Sequence, residues 1–124
     1  MKNPFFLLSI SLILFSCTSQ PIPGTIASDI QQNKLKSILE TTGATLVDIR
    51  TEDEISQGII DGAKTVDYFS DDFMKQMEQF PQDQPIVLYC ASGGRSAKAM
   101  KMLNNAGWKE VYNLLGGYRE YVPN

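Results

Sequence analysis

Residues 86–96 read Ile-Val-Leu-Tyr-Cys-Ala-Ser-Gly-Gly-Arg-Ser. The first four are an unbroken apolar run introduced by Pro85, the pattern of a central strand covered on both faces. Cys90 ends the run, and Ala91 to Gly94 make a small loop. From Arg95 onward Ala99, Met100, Leu103 and Ala106 share one stripe of a helix, which Gly107 closes. A buried strand feeding a helix through a glycine loop is one half of a βαβ unit. It predicts an α/β chain.

The flanking sequence repeats the alternation. Ser28 and Asp29 offer an N-cap to a helix carrying Ile30, Leu35, Ile38 and Leu39, and Gly43 stops it. Thr45 to Ile49 is a short β-type run. Thr51 to Glu54 has capping-box spacing, so a short helix starts there and stops at Gly58. Lys64 to Tyr68 reads as a further strand. Ser70, Asp71 and Asp72 cap a helix whose Phe73, Met74, Met77 and Phe80 form a core face, ended by Pro81. Val111 and Tyr112 suggest a last strand, and Gly116 and Gly117 lead into a short final helix. Strands alternating with helices predict a central, mainly parallel sheet with helices on both faces. No internal repeat is present.

Composition narrows the chemistry. The chain has 124 residues, 43% hydrophobic and 20% charged, enough for one globular domain with its own core. It contains no histidine. That excludes Ser/His and Cys/His pairs and imidazole metal sites, and any general base is a carboxylate, a lysine or water. The formal net charge is −3 with no run of Lys or Arg, which argues against a nucleic-acid partner.

The N-terminus stands apart from the fold. Lys2 supplies a positive start, and Pro4 to Phe15 is an uncharged apolar run too short to span a bilayer core of roughly 30 Å. It reads as an export signal. Leu14, Phe15, Ser16 and Cys17 resemble the lipobox of bacterial lipoproteins, in which the signal is cut before a cysteine that is then acylated. The alternatives are a plain secretory signal, with no role for Cys17, or an uncut anchor. The expected organisation is a signal peptide at 1–16, a lipidated tether at 17–27 rich in proline and polar residues, and the folded domain at 28–124. The protein would then be exported and lipid-anchored to a bacterial membrane, facing the periplasm. With Cys17 lipidated, Cys90 is the one free thiol of the mature chain, in a compartment where thiols are usually oxidised.

The loop after Cys90 is built to keep a thiol ionised. Gly93 and Gly94 tolerate positive φ, so successive N–H groups can turn inward as an anion nest, and the following helix adds the positive end of its dipole. Arg95 adds a cation with forked donors suited to sulfate-like oxygens. A thiol at such a helix start has a pKa of about 3.5 to 7.5, so no base is needed. The competing readings are a small buried hydrophobe for Cys90, a surface helix residue for Arg95 and a solvated lysine for Lys98. Asp48 and Arg50 read as a structural pair at a strand end.

Cys90 to Ser96 resembles the active-site loop of rhodanese-like sulfurtransferases, a cysteine, four residues, an arginine, then Ser or Thr. The similarity runs from about Ile30 to Val122. It takes in Leu46 to Arg50 (LVDIR), Glu54, Gly58 to Ala63 (GIIDGA) and Leu115 to Tyr121 (LGGYREY). Ile59, Asp61 and Tyr121 stand where the family often has histidine, proline and tryptophan. The resemblance implies a three-layer rhodanese-like fold. It implies catalysis by Cys90 and Arg95, with a substrate-binding loop of Ala91, Ser92, Gly93, Gly94 and Ser96. Ser96 either caps the helix or bonds to the thiolate. The implied reaction takes a sulfane sulfur from a thiosulfate-like anion, through a Cys90 persulfide, to cyanide or a thiol. No metal or organic cofactor is called for, and a monomer is expected. Related phosphatases have one more residue between cysteine and arginine, so the four here favour sulfur transfer over dephosphorylation or arsenate reduction. A sulfur carrier that does not turn over is the other alternative.

Overall fold

The computed structural model describes residues 22–123. The signal segment and Cys17 lie outside the described residues, as does the start of the tether. Five strands form one sheet: β1 (Ile26–Ile30), β2 (Thr45–Asp48), β3 (Lys64–Thr65), β4 (Ile86–Tyr89) and β5 (Glu110–Leu114). Their order is β1-β5-β4-β2-β3, and every pairing is parallel. The helices are α1 (Leu35–Thr42), α2 (Glu52–Ile55), α3 (Phe73–Met77), α4 (Gly94–Asn105) and α5 (Gly117–Glu120), with a single 3-10 turn at Gln32–Lys34 before α1.

The apolar run Ile86–Tyr89 is the middle strand. Leu88 sits between Val47 of β2 and Asn113 of β5, and all four residues of β4 are buried. Alternate residues feed two cores. Ile86 and Leu88 pack with Val47, Ile49 and Val111 against Phe73 and Met77 of α3 and Ala99 and Leu103 of α4. Val87 and Tyr89 pack with Leu46 and Leu114 against Leu35 of α1, with Tyr118 and Tyr121 alongside. That is an α/β/α sandwich, the expected three-layer fold. Each buried aliphatic side chain contributes about 1.5–3 kcal/mol, so the sheet centre is the most strongly held part of the domain.

Several elements differ from expectation. Ser28 and Asp29 cap no helix; they lie in β1, which pairs with β5 at the sheet edge. The strand shows no apolar alternation because four of its five residues are exposed. It begins at Ile26, inside the stretch expected as tether. The strand expected at Lys64 to Tyr68 reduces to Lys64–Thr65, and Val66 is buried just beyond it. In α3 the first turn has no side-chain cap; Ser70 instead donates its hydroxyl to Asp72 (2.6 Å), and Gln76 donates to both. Ala106 is not on the buried stripe of α4 but forms its exposed C-cap. The capping box at Thr51 and Glu54 is formed as read, with both reciprocal bonds present.

Candidate active site

Cys90 is the first residue after β4 and lies just before α4, at the carboxyl edge of a parallel sheet, where open α/β folds hold their ligands. It is only 1% exposed and touches the α3/α4 core. Its sulfur nonetheless has polar partners. The Gly93 N–H donates to Sγ at 3.1 Å, and the Ser96 hydroxyl donates to it at 3.4 Å. Burial alone would push the thiol up. The Ser96 hydroxyl and the N–H groups of Ser96, Ser92 and Gly93 outweigh that, so the thiol titrates below its ordinary value.

The loop takes this shape because it is held from behind. Gly93 is the N-cap of α4 with φ +99°, which turns its N–H toward the sulfur. The carbonyls of Cys90 and Ala91 point the other way and accept from the N–H groups of Tyr118 (2.8 Å) and Arg119 (3.0 Å) in α5. Gly117 makes this approach possible, since a Cβ there would fall 2.4 Å from the Cys90 carbonyl oxygen. Gln32 braces the same segment, donating to the carbonyls of Leu115 (2.7 Å) and Gly117 (3.0 Å). The result is a concave row of donors facing one sulfur at the positive end of a helix.

Arg95 stands in the first turn of α4, and both of its terminal nitrogens donate to Glu54. Nη1 donates to Oε2 of Glu54 at 2.9 Å and Nη2 to Oε1 at 2.6 Å. The exposed Phe69 ring lies 5.5 Å from the guanidinium carbon. Glu54 raises the Arg95 pKa most, with a smaller push from Cys90. Glu54, held chiefly by Arg95 and also by Thr51 against the opposing effect of burial, is lowered to about 2. Gly93 and Ser96 thus face the sulfur, and the exposed Ser92 offers its N–H; Ala91 turns its carbonyl to α5, and Gly94 is exposed at the start of α4. Lys98 is exposed.

Two residues that matter to this geometry were not singled out for it. Glu54 carries a visible signal, the capping box, but not its partner 41 residues away. Phe69 carries none. Asp48 and Arg50 form the structural pair that was expected: Arg50 Nη2 donates to Asp48 Oδ2 at 2.7 Å and to the Gly58 carbonyl at 2.7 Å. Its guanidinium stacks 4.0 Å from the Tyr118 ring, tying β2 to α5 and so to the back of the loop. A groove of about 660 Å³ runs past Phe69, Met74 and Met102. Another, of about 500 Å³, is lined by Gln32, Leu39, Ile60 and Tyr121 and by no residue of the loop.

The chain is similar to known proteins. The model of the rhodanese-like domain matches residues 31–124. A chloroplastic protein of Arabidopsis thaliana named thiosulfate sulfurtransferase 16 is 37% identical over 92 residues, covering 66% of this chain and 77% of its own. A sulfurtransferase of Allochromatium vinosum is 37% identical over 93 residues, 74% of this chain and 85% of its own. The crystal structure of a rhodanese-like domain protein from Staphylococcus aureus superposes with a TM-score of 0.68 at 28% identity, covering 78% of this chain and 93% of that one.

Proposed function

The chain belongs to the rhodanese-like domain family, and from that premise we propose that it is a sulfurtransferase moving a sulfane sulfur from thiosulfate or a similar donor to a thiol or cyanide through a persulfide on Cys90. The observation that carries this reading is the Sγ of Cys90, which accepts from Gly93 and Ser96 at the start of α4. A thiol lowered in this way gives up its proton more readily than a free one, with no histidine to activate it.

The reaction is two displacements. Cys90 thiolate attacks the outer sulfur of thiosulfate, the donor S–S bond breaks and its electron pair leaves with sulfite. The persulfide's terminal charge then rests among the loop N–H groups, as in an oxyanion hole. A thiolate or cyanide attacks that outer sulfur and returns Cys90 to the thiolate. Arg95, held by Glu54, acts only at short range, through its contact with the Cys90 sulfur. Four residues between Cys90 and Arg95 leave room for one extra sulfur and favour this over phosphate-ester chemistry.

Intact-mass analysis after incubation with thiosulfate tests the reading. The wild type gains one sulfur atom, Cys90→Ser gains none, and Arg95→Ala gains it more slowly. Hydrolysis of an aryl phosphate without sulfur gain would overturn it. A sulfur gain without release to added cyanide or thiol would mark a carrier. The segment ending at Cys17 supports a further proposal, export and acylation at that residue; Cys17→Ala should abolish labelling by a fatty-acid analogue and release the protein from the membrane fraction.

A further inference from the structure

Within Cys90 to Ser96 the only cationic side chain is Arg95, and both of its terminal nitrogens are engaged by Glu54, at 2.9 and 2.6 Å. A fork-to-fork pair of this kind occupies the end of the guanidinium that would otherwise grip an oxyanion with both terminal nitrogens, and leaves Nε and one hydrogen on each Nη outside the pair. It also cancels most of the guanidinium field beyond a few ångströms. Glu54 has little freedom to release its partner. Its Oε2 accepts from the Thr51 N–H and the Thr51 hydroxyl, each at 3.0 Å, so turning away would open the capping box that starts α2. The Phe69 ring lies against the guanidinium as well, 5.5 Å from its carbon, and is 65% exposed. The mouth of the loop therefore presents a neutralised ion pair and an apolar ring.

Given the sulfurtransferase reading, we propose that Glu54 determines donor specificity: by holding Arg95 it withholds a free guanidinium from small dianions such as thiosulfate and suits the loop to sulfane sulfur borne on an organic thiol. For a donor R–S–S–H the step balances without any further reagent. Cys90 Sγ bonds to the terminal sulfur, the donor S–S bond breaks, its electron pair leaves on R–S⁻, and the proton stays on the transferred sulfur. The leaving group carries one negative charge, whereas sulfite carries two. The backbone donors suffice for the smaller charge.

Steady-state kinetics with thiosulfate and with cysteine persulfide, each with the same thiol acceptor, test this in the full-length protein and in Glu54→Gln. Glutamine at this position preserves a capping box while removing the charge. The wild type should prefer cysteine persulfide in kcat/KM by about tenfold or more. In Glu54→Gln the KM for thiosulfate should fall about tenfold, the size of one partly exposed charge-assisted contact, while kcat and the KM for cysteine persulfide stay within about twofold. The lowered thiosulfate KM should also become sensitive to ionic strength. A wild-type preference for thiosulfate overturns the proposal without need of a variant, and so does a parallel shift of both donors in Glu54→Gln. Failure of Cys90 to gain sulfur from either donor overturns the sulfurtransferase reading itself, an outcome distinct from sulfur gain without discrimination.

Discussion

The backbone N–H of Tyr118 donates to the carbonyl of Cys90 at 2.8 Å, so the peptide that carries the nucleophile is anchored by the last helix of the chain and not by its own loop. With that carbonyl fixed outward, the following amides face the sulfur. The concave donor row is a tertiary construction, made where β4, α4 and α5 converge.

Replacing Gly117 by alanine tests that anchor. The residue has φ +55° and its Cβ would meet the Cys90 carbonyl oxygen at 2.4 Å and the Ala91 carbonyl group at 2.8 Å. Left-handed backbone with a side chain costs about 1–2 kcal/mol, and backbone atoms on the far side leave no flexible group to yield. Gly117→Ala should lose at least about 2 kcal/mol of stability in urea unfolding and form the Cys90 persulfide much more slowly. An alanine variant with wild-type stability and sulfur gain would mean that α5 does not shape the loop.

The thiol itself should report the balance between burial and hydrogen bonding. Alkylation of Cys90 by iodoacetamide, followed against pH, should show a midpoint below that of a free thiol. Ser96→Ala should move the midpoint upward, because the hydroxyl is the largest of the lowering influences. The sign for stability follows. A group lowered in the folded state adds stability that is fully present above its ordinary value and is lost as pH falls through the lowered one. An unchanged midpoint in Ser96→Ala would assign the lowering to the backbone amides alone.

How far the site could be read in advance depends on the range of its contacts. The strand Ile86–Tyr89, the turn at Gly93 and the capping box at Thr51 are local, and periodicity or turn chemistry exposed each of them. Strand β1 was hidden because four of its five residues are exposed and its Asp29 is paired with Asn113, 84 residues away, at 2.8 Å. Ser28 and Asp29 are good cap residues, and nothing local distinguishes a cap from an edge strand. For the same reason Arg95 could be placed at the loop, but its engagement by Glu54 could not. The two meet only because α2 follows β2 and α4 follows the neighbouring β4 on the same edge of the sheet.

The buried Asp48–Arg50 pair should behave as a structural one. The two side chains are 0% and 4% exposed, and Arg50 also donates to the carbonyls of Glu54 and Gly58. Removing the carboxylate alone leaves a buried cation without its counter-charge, which costs about 3–5 kcal/mol. Asp48→Ala should therefore lower the urea midpoint steeply. Asp48→Asn, which keeps an acceptor for the Arg50 N–H at 2.9 Å, should be milder. Equal effects of the two would mean that shape, and not charge, holds this corner.

Acid should act on Glu54. Its carboxyl is held down to about 2, first by the Arg95 guanidinium and then by Thr51, against the opposing effect of burial. Because the folded value is lowered, the associated stability is present above the ordinary carboxylate value and disappears as pH falls from there to about 2. The Glu54 side chain is 33% exposed, so solvent screening holds the effect to no more than about 1 kcal/mol. Melting temperatures of the wild type and Glu54→Gln, compared at steps between pH 6 and about 2, should start apart and converge as the medium is acidified. A gap that stays constant through that interval would mean that the contact with Arg95 contributes packing and no charge, and the neutralised mouth of the loop would lose its electrostatic basis.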